Sequence, residues 1–237
     1  MDRVRTQSES LREQALGIIR DAITSGELAE DKIYSAAGLA KQLGISLSPV
    51  REAMMALVTE GTVEAVPNRG FRLVTVTEAD LEEIIAIRVL LAAPAARSLA
   101  GADSDDIVGR GRRADADATS ASTTKADAVT RLRSLAEATV AAAEDGDVAE
   151  FYTQDRRFHE ALLEHGLGGR AAEISLRLRD QSRLYRHQDQ IGAIAVDSAR
   201  ELPRIVDLIE EGNSAEAADL VTSNLYFFKR VPADADG

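Results

Sequence analysis

Gly44-Ile45-Ser46-Leu47-Ser48-Pro49-Val50-Arg51-Glu52-Ala53 is the stretch from which the rest of the chain can be ordered. Gly44 is a left-handed stop for the helix that Leu39, Ala40 and Leu43 define after Ser35. Ser48 reads as an N-cap, and Pro49 falls in the first turn of the next helix, where a missing N–H costs nothing. That helix runs to about Glu60 and ends at Gly61. Two helices joined by so tight a turn form a helix-turn-helix.

The flanks extend the unit in both directions. Upstream, Ser10 with Glu13 has the spacing of a capping box, and Leu11, Ala15, Ile18, Ile19, Ala22 and Ile23 recur at helical spacing up to Gly26. Downstream, Val63 to Val66 and Phe71 to Val76 are β-prone runs around Pro67-Asn68-Arg69-Gly70, which has hairpin-tip chemistry. Helix, helix, turn, helix, hairpin is the order of a winged helix-turn-helix, expected over residues 1–76. Thr77 with Asp80 caps a new helix, Leu81 to Leu99, with Pro94 as a kink, and Thr75 to Asp80 is the natural hinge.

Beyond the hinge the pattern is helical throughout. Residues 101–128 are poor in large apolar side chains and read as a surface loop with at most a frayed helix. Helices then follow at Ala128 to Glu144, Asp147 to Glu164, Arg170 to His187, Asp197 to Glu211 and Ser214 to Lys229. The expected fold is mainly α, with an antiparallel bundle of about six helices over residues 77–237.

Bulk properties narrow the function. There is no cysteine, which removes disulfides, thiolate metal sites and cysteine nucleophiles. No apolar run suggests a membrane span and the start lacks a secretory core, so a cytoplasmic protein without membrane attachment is expected. The net charge of −12 is unequally placed: residues 1–76 hold nine Lys and Arg against ten Asp and Glu, and the remaining −11 lies beyond. A near-neutral first domain still binds phosphate where its few cations converge.

Four segments in this order, residues 44–53, Glu60-Gly61, the wing Pro67-Asn68-Arg69-Gly70-Phe71, and Asp155-Arg156-Arg157-Phe158-His159, resemble the GntR family of bacterial transcription regulators, in its FadR-like subgroup with an all-helical FCD effector domain. The resemblance implies a homodimer, with operator DNA and a small carboxylate-bearing effector as partners, and most simply a repressor. A recognition helix reads the major groove with its N-terminal residues, so Ser46, Ser48 and Arg51 are the candidate DNA contacts, with Arg69 and Gly70 at the wing tip. The family usually has Arg where this chain has Leu47, which implies an altered half-site.

In the bundle, Asp155 and His159 stand four residues apart on the face of Phe151, Phe158 and Leu162, a spacing that can place two ligands on one metal. Relatives complete such a site with two histidines where this chain has Leu202 and Asn224, so no cofactor is expected beyond, at most, a weakly held divalent metal such as zinc or nickel. Arg88 lies on the inward stripe of its helix and needs an anionic partner, either Asp155 or an effector carboxylate. Asn224 completes a candidate effector set of Arg88, Asp155, His159 and Asn224. No catalytic residues are assigned and an enzyme is not expected. The competing readings are a metal-dependent hydrolase using Asp155 and His159, or a winged-helix protein-interaction module.

Overall fold

The computed structural model describes residues 2–24, 26–29, 32–106, 108–109, 123–182, 184–185 and 191–227. Among them are nine helices and one two-stranded sheet: α1 (Asp2–Thr24), α2 (Ala36–Leu43), α3 (Leu47–Glu60), β1 (Val63–Val66), β2 (Gly70–Leu73), α4 (Glu78–Gly101), α5 (Lys125–Glu144), α6 (Val148–Gly166), α7 (Gly169–Ser182), α8 (Ile191–Glu210) and α9 (Ser214–Leu225). This is the mainly α architecture expected, a winged helix-turn-helix and then six helices. The chain divides into two units, Met1–Leu81 with Asp180–Arg186, and Glu82–Arg179 with His187–Gly237.

In the first unit the turn chemistry sets the path. Ser35 caps α2 through its side chain, and Gly44 closes it in a left-handed conformation at φ 68°. The N–H of Ile45 then reaches back to the carbonyl of Ala40, a Schellman closure that delivers the chain to α3 within two residues. Ile19, Leu39, Val50, Ala53, Met54 and Leu57 are almost wholly buried and form the centre of this core, joined by Val63 and Leu73 of the sheet and by Leu184. Burying a side chain of that size stabilises by about 1.5–3 kcal/mol, before the entropy of ordering it is counted.

The strands pair antiparallel from Val63 opposite Leu73 to Val66 opposite Gly70. Arg69 N–H donates to Val66 C=O across the tip, with Pro67 and then Asn68 at φ 59° as the central residues, a type II pattern. Tyr34 adds a third backbone pairing by bridging Phe71. That bridge explains Gly70: a Cβ there would lie 2.3 Å from the Tyr34 carbonyl oxygen, at a φ of +131°.

Several expected boundaries move. α1 continues through Ser10 rather than starting there, since residues 2–9 contain no Gly or Pro to stop it. The second strand ends at Leu73, three residues short of Val76. α8 begins at Ile191 rather than Asp197. The ends expected at His187 and Lys229, and half of the 101–128 loop, lie outside the described residues.

At the start of α4, Thr77 and Asp80 form the expected reciprocal cap, with Thr77 N–H donating to Asp80 Oδ2 at 2.9 Å and Asp80 N–H to Thr77 Oγ1 at 3.2 Å. Thr124 and Asp127 make the same motif on α5. Beside it, the buried Lys125 ammonium donates to the carbonyls of Ala100 and Ala102, satisfying the C-terminal end of α4. α5 packs against α6 and α8, and α8 against α9.

Two glycines test the backbone argument. Gly44 has open space around a Cβ, so Gly44→Ala should cost only its left-handed φ, about 1 kcal/mol. Gly70→Ala meets the Tyr34 backbone as well and should cost at least twice as much, about 2 kcal/mol or more. Urea unfolding of the two variants gives the comparison; equal losses would refute it.

Candidate functional site

Two groups of side chains stand out, one in each unit. The first lies on the outward face of α3. Because Val50, Ala53, Met54 and Leu57 turn inward, Leu47, Ser48, Arg51, Glu52 and Met55 turn to solvent. Ser46, not Ser48, occupies the N-cap position, with extended backbone and no capping hydrogen bond from its side chain. The reason is the Schellman closure at Gly44, which lets helical geometry begin at Leu47. Ser48 is therefore already inside the first turn, and its hydroxyl donates to Glu52 Oε1 at 3.2 Å.

Arg51 is exposed and forms no ion pair with any described residue. Arg69 is exposed at the hairpin tip, where its backbone is held by Val66 and its side chain is unengaged by described residues. Gly70 sits beside it, shaped by the Tyr34 contact. By contrast, Arg72 is occupied by Glu64 across the strand pair. Lys41 in the last turn of α2 is likewise exposed and forms no ion pair with a described residue.

The second group lies on α4, α6 and α7. Asp155 and His159 are on one face of α6, with His159 Nε2 3.4 Å from Asp155 Oδ1. The other carboxylate oxygen accepts from Arg179 of α7, which also donates to the Tyr152 carbonyl at 3.1 Å. Arg88 is only 6% exposed and acts electrostatically on His159 together with Arg179. The structure therefore brings Arg88, Asp155 and His159 together. The Asn224 amide donates to the Ser198 carbonyl and Glu201 Oε2, both at 3.0 Å.

Arg179 was not singled out from the sequence. Its signal is a helical stripe, Ala172, Ser175, Leu176, Arg179, in which every member is buried. Asp155 is one of the two anionic partners expected for Arg88, and the guanidinium that pairs with it is that of Arg179 on α7. Burial alone would raise the Asp155 carboxyl, yet Arg179 and then His159 overcome this and hold it well below the usual carboxylate range. For His159, burial lowers the imidazole more than Asp155 raises it, and Arg88 and Arg179 lower it further, so it is neutral near pH 7.

This donor set does not fit a divalent metal. Asp155 and His159 offer two ligands, and one oxygen of the first is already held by a guanidinium. Among the described residues there is no group of three or more His, Asp and Glu able to hold a metal ion. Leu202 is buried and carries no donor, while Asn224 is engaged with α8. A dication there would also face Arg88 and Arg179 across a poorly screened interior.

Comparison with known proteins supplies the frame for both groups. The family described as bacterial regulatory proteins, gntR family, matches residues 11–73, and the FCD domain matches residues 114–226. An HTH-type transcriptional regulator from the TAR-I ttuE-ttuC' intergenic region of Agrobacterium vitis is 33% identical over 145 residues, 61% of this chain and 74% of that protein. The HTH-type regulator YdhC of Bacillus subtilis (strain 168) is 34% identical over 73 residues, 31% of this chain and 33% of YdhC. Among solved structures, E. coli McbR/YncC superposes with a TM-score of 0.71 at 18% identity, covering 93% of this chain and 98% of the other. A GntR-type regulator from Rhodococcus sp. RHA1 gives 0.65 at 20% identity, covering 94% and 100%. At these identities the structural likeness speaks for the fold alone.

The buried ionisable groups make acid destabilising. A folded His159 that stays neutral loses ground once the unfolded chain takes up a proton, so stability falls as pH drops through about 6.5. Asp155, whose folded value is depressed, stabilises fully above the unfolded value near about 4 and loses that contribution as pH falls below it. Melting should therefore move down between about pH 7.5 and 5.5. His159→Gln should remove part of that slope, the rest belonging to His165, which burial and then Arg131 also lower. A variant with the unaltered slope would refute the assignment.

Proposed function

The chain belongs to the GntR family of bacterial regulatory proteins, a DNA-binding transcriptional regulator with an FCD domain, and from that premise we propose that it is a cytoplasmic homodimeric repressor released from its operator by a small carboxylate-bearing effector. The family is one of regulators, which leaves the hydrolase reading without support. Residues 1–76 are assigned to operator binding and residues 77–237 to the effector and the dimer.

The observation that carries the DNA half is the exposed, uncommitted Arg51 in the second turn of α3, with Arg69 and Gly70 at the hairpin tip. A guanidinium in that position takes guanine O6 and N7 together. Ser46 and Ser48 flank it as polar contacts to bases or phosphates, although Ser48 must first give up Glu52. Leu47 is 42% exposed at the head of the helix, where an aliphatic side chain packs on a thymine methyl rather than hydrogen-bonding a guanine. Glu52 on the same face adds repulsion toward phosphate, so binding depends on the few cations and falls steeply with salt.

For the sensor half, the supporting feature is the cluster of Arg88 and Arg179 around Asp155 and His159. A buried site with this many guanidinium donors suits an anionic ligand, because a carboxylate forms bidentate hydrogen bonds with a guanidinium. Asn224, on α9, is the fourth member of the proposed effector set, with its amide Nδ2 donating to Ser198 and Glu201. A divalent metal is not part of this proposal, and titration calorimetry with zinc or nickel should show no sub-micromolar site.

A route to the DNA side follows from chain order. One residue after Arg179, Asp180 lies 3.7 Å from Arg20, which pairs at 2.7 Å with Glu60. Gln181 donates to the Glu60 carbonyl at the end of α3 at 2.7 Å, and Leu184 is buried in the same core. A ligand that draws Arg179 from Asp155 pulls directly on this segment.

Arg51→Ala should leave the melting temperature unchanged and cost about 1–3 kcal/mol of binding per half-site to a duplex selected from a random pool, read by fluorescence anisotropy. Retained nanomolar binding would overturn the role of Arg51. If wild type selects no duplex at low salt, the protein-interaction reading takes its place. In the sensor, small mono- and dicarboxylates should raise the melting temperature of wild type and release the selected duplex, and Arg88→Gln should abolish both effects. Unchanged responses in that variant would remove Arg88 from the site.

A further inference from the structure

The outward face of α3 carries Glu52 and Met55 beside Arg51, all three exposed. Val50, Ala53, Met54 and Leu57 fill the buried side, and a helix turns about 100° per residue, so the middle of the opposite arc falls at Ser48, Met55 and Thr59. Met55 is 50% exposed there. Arg51 lies about 40° to one side of it and Glu52 about 60° to the other. Thr59 closes the arc, because its hydroxyl donates back to the Met55 carbonyl at 3.1 Å. From Leu47 to Met55 the exposed face is about 12 Å long, the length of about three to four base-pair steps.

Glu52 is a carboxylate with no cation beside it among the described residues; its hydrogen bond comes from the Ser48 hydroxyl, donated to Oε1 at 3.2 Å. That bond leans the side chain over the turn N-terminal to its own Cα, toward the leading end of the helix. Phosphate repels such a group, and so do most base edges. In the major groove guanine shows the acceptors N7 and O6, and thymine shows the acceptor O4 with a methyl group. Adenine sets an acceptor beside its amine, so a carboxylate would meet one favourable and one repulsive atom. Cytosine presents its N4 amine with no acceptor next to it, which leaves it the one base edge that suits Glu52. Met55 has the complementary need: its unbranched apolar chain finds one matching group on the groove floor, the thymine methyl.

We infer that Glu52 and Met55 are specificity-determining residues, Glu52 accepting from cytosine N4 and Met55 lying on a thymine methyl, both close to the guanine bound by Arg51. The inference rests on operator binding through α3 as proposed above and adds the bases that this helix selects. A purely stabilising role for Glu52 competes with it, since a carboxylate near a helix N-terminus meets the helix dipole favourably. That effect fades beyond the first turn, and Glu52 stands in the second. A stabilising role would also alter folding and leave base choice untouched, so base choice separates the two.

Selection of duplexes from a random pool by the full-length protein at low salt, followed by fluorescence anisotropy, tests both contacts. Wild type should enrich half-sites with a guanine whose enrichment is lost in Arg51→Ala, and with cytosine and thymine within about three base pairs of it. Glu52→Gln retains an acceptor for Ser48 and should move one enriched position from cytosine to adenine, because an amide pairs with adenine N6 and N7 together. Changing that cytosine should weaken wild-type binding about tenfold. Replacing the enriched thymine by uracil, which lacks only the methyl group, should weaken wild type about threefold and leave Met55→Ala unaffected. Both variants should keep the wild-type melting temperature, since both side chains are exposed. A Glu52→Gln variant that selects the wild-type sequence, or that binds every duplex tighter by one common factor, overturns the cytosine contact and leaves the carboxylate as a repulsive charge. Uracil duplexes bound as tightly as thymine duplexes overturn the Met55 contact. A wild type that enriches no duplex overturns operator binding itself, a result distinct from either.

Discussion

The Asp155–Arg179 pair is the constraint around which the helical unit is arranged. A carboxylate taken out of water costs several kcal/mol unless a cation and further hydrogen bonds meet it, and here the cation comes from a different helix. The pair therefore fixes α7 against α6 at one axial position. Arg179 is itself 3% exposed, and the same Nη2 that meets Asp155 also donates to the Tyr152 carbonyl, so the geometry tolerates little sliding. His159 adds a neutral imidazole to the same carboxylate, which orients Asp155 without adding a second positive charge. The result is a polar interior assembled from guanidinium groups, where a two-ligand metal site would have lacked both donors and electrostatic support.

That pair also explains why the end of α7 matters beyond its own unit. The residues immediately following Arg179 change company: Asp180 lies near Arg20, Gln181 satisfies the Glu60 carbonyl, and Leu184 enters the core formed with Ile19, Val50 and Leu57. Glu60 C=O is one of the carbonyls that a helix end leaves without an internal partner. A side chain from a sequence position 121 residues away supplies the bond. Local sequence at the α3 terminus therefore does not contain all that completes it.

This contrast accounts for what the sequence disclosed. The winged helix was legible because short-range chemistry specifies it: Ser35 and Gly44 bound α2, Gly61 ends α3, Pro67 and Asn68 turn the hairpin, and Thr77 with Asp80 opens α4. The N-cap shift from Ser48 to Ser46 is the same logic misjudged by two residues, since either serine satisfies the pattern and only the preceding turn decides. Arg88, Asp155 and His159 were legible as an inward-facing set because helical period fixes the face. Their partner was not. Arg179 follows from how α6 and α7 are juxtaposed, and Asn224 turned to Ser198 and Glu201 for the same reason, because period assigns a face but not a neighbour.

α4 shows the limit of composition most clearly. Averaged along its length it is apolar enough to pass for a membrane segment, yet its two sides perform different work. The inward side carries Arg88 at 6% exposure, close enough to His159 to help keep that imidazole neutral. The outward side carries Leu90 and Ile87 between charged residues of opposite sign. Pro94, lacking an N–H, leaves the Leu90 carbonyl without its helical donor at the centre of that outward stripe. The charged residues that flank Leu90 and Ile87 on this outward face separate it from the inward side that carries Arg88.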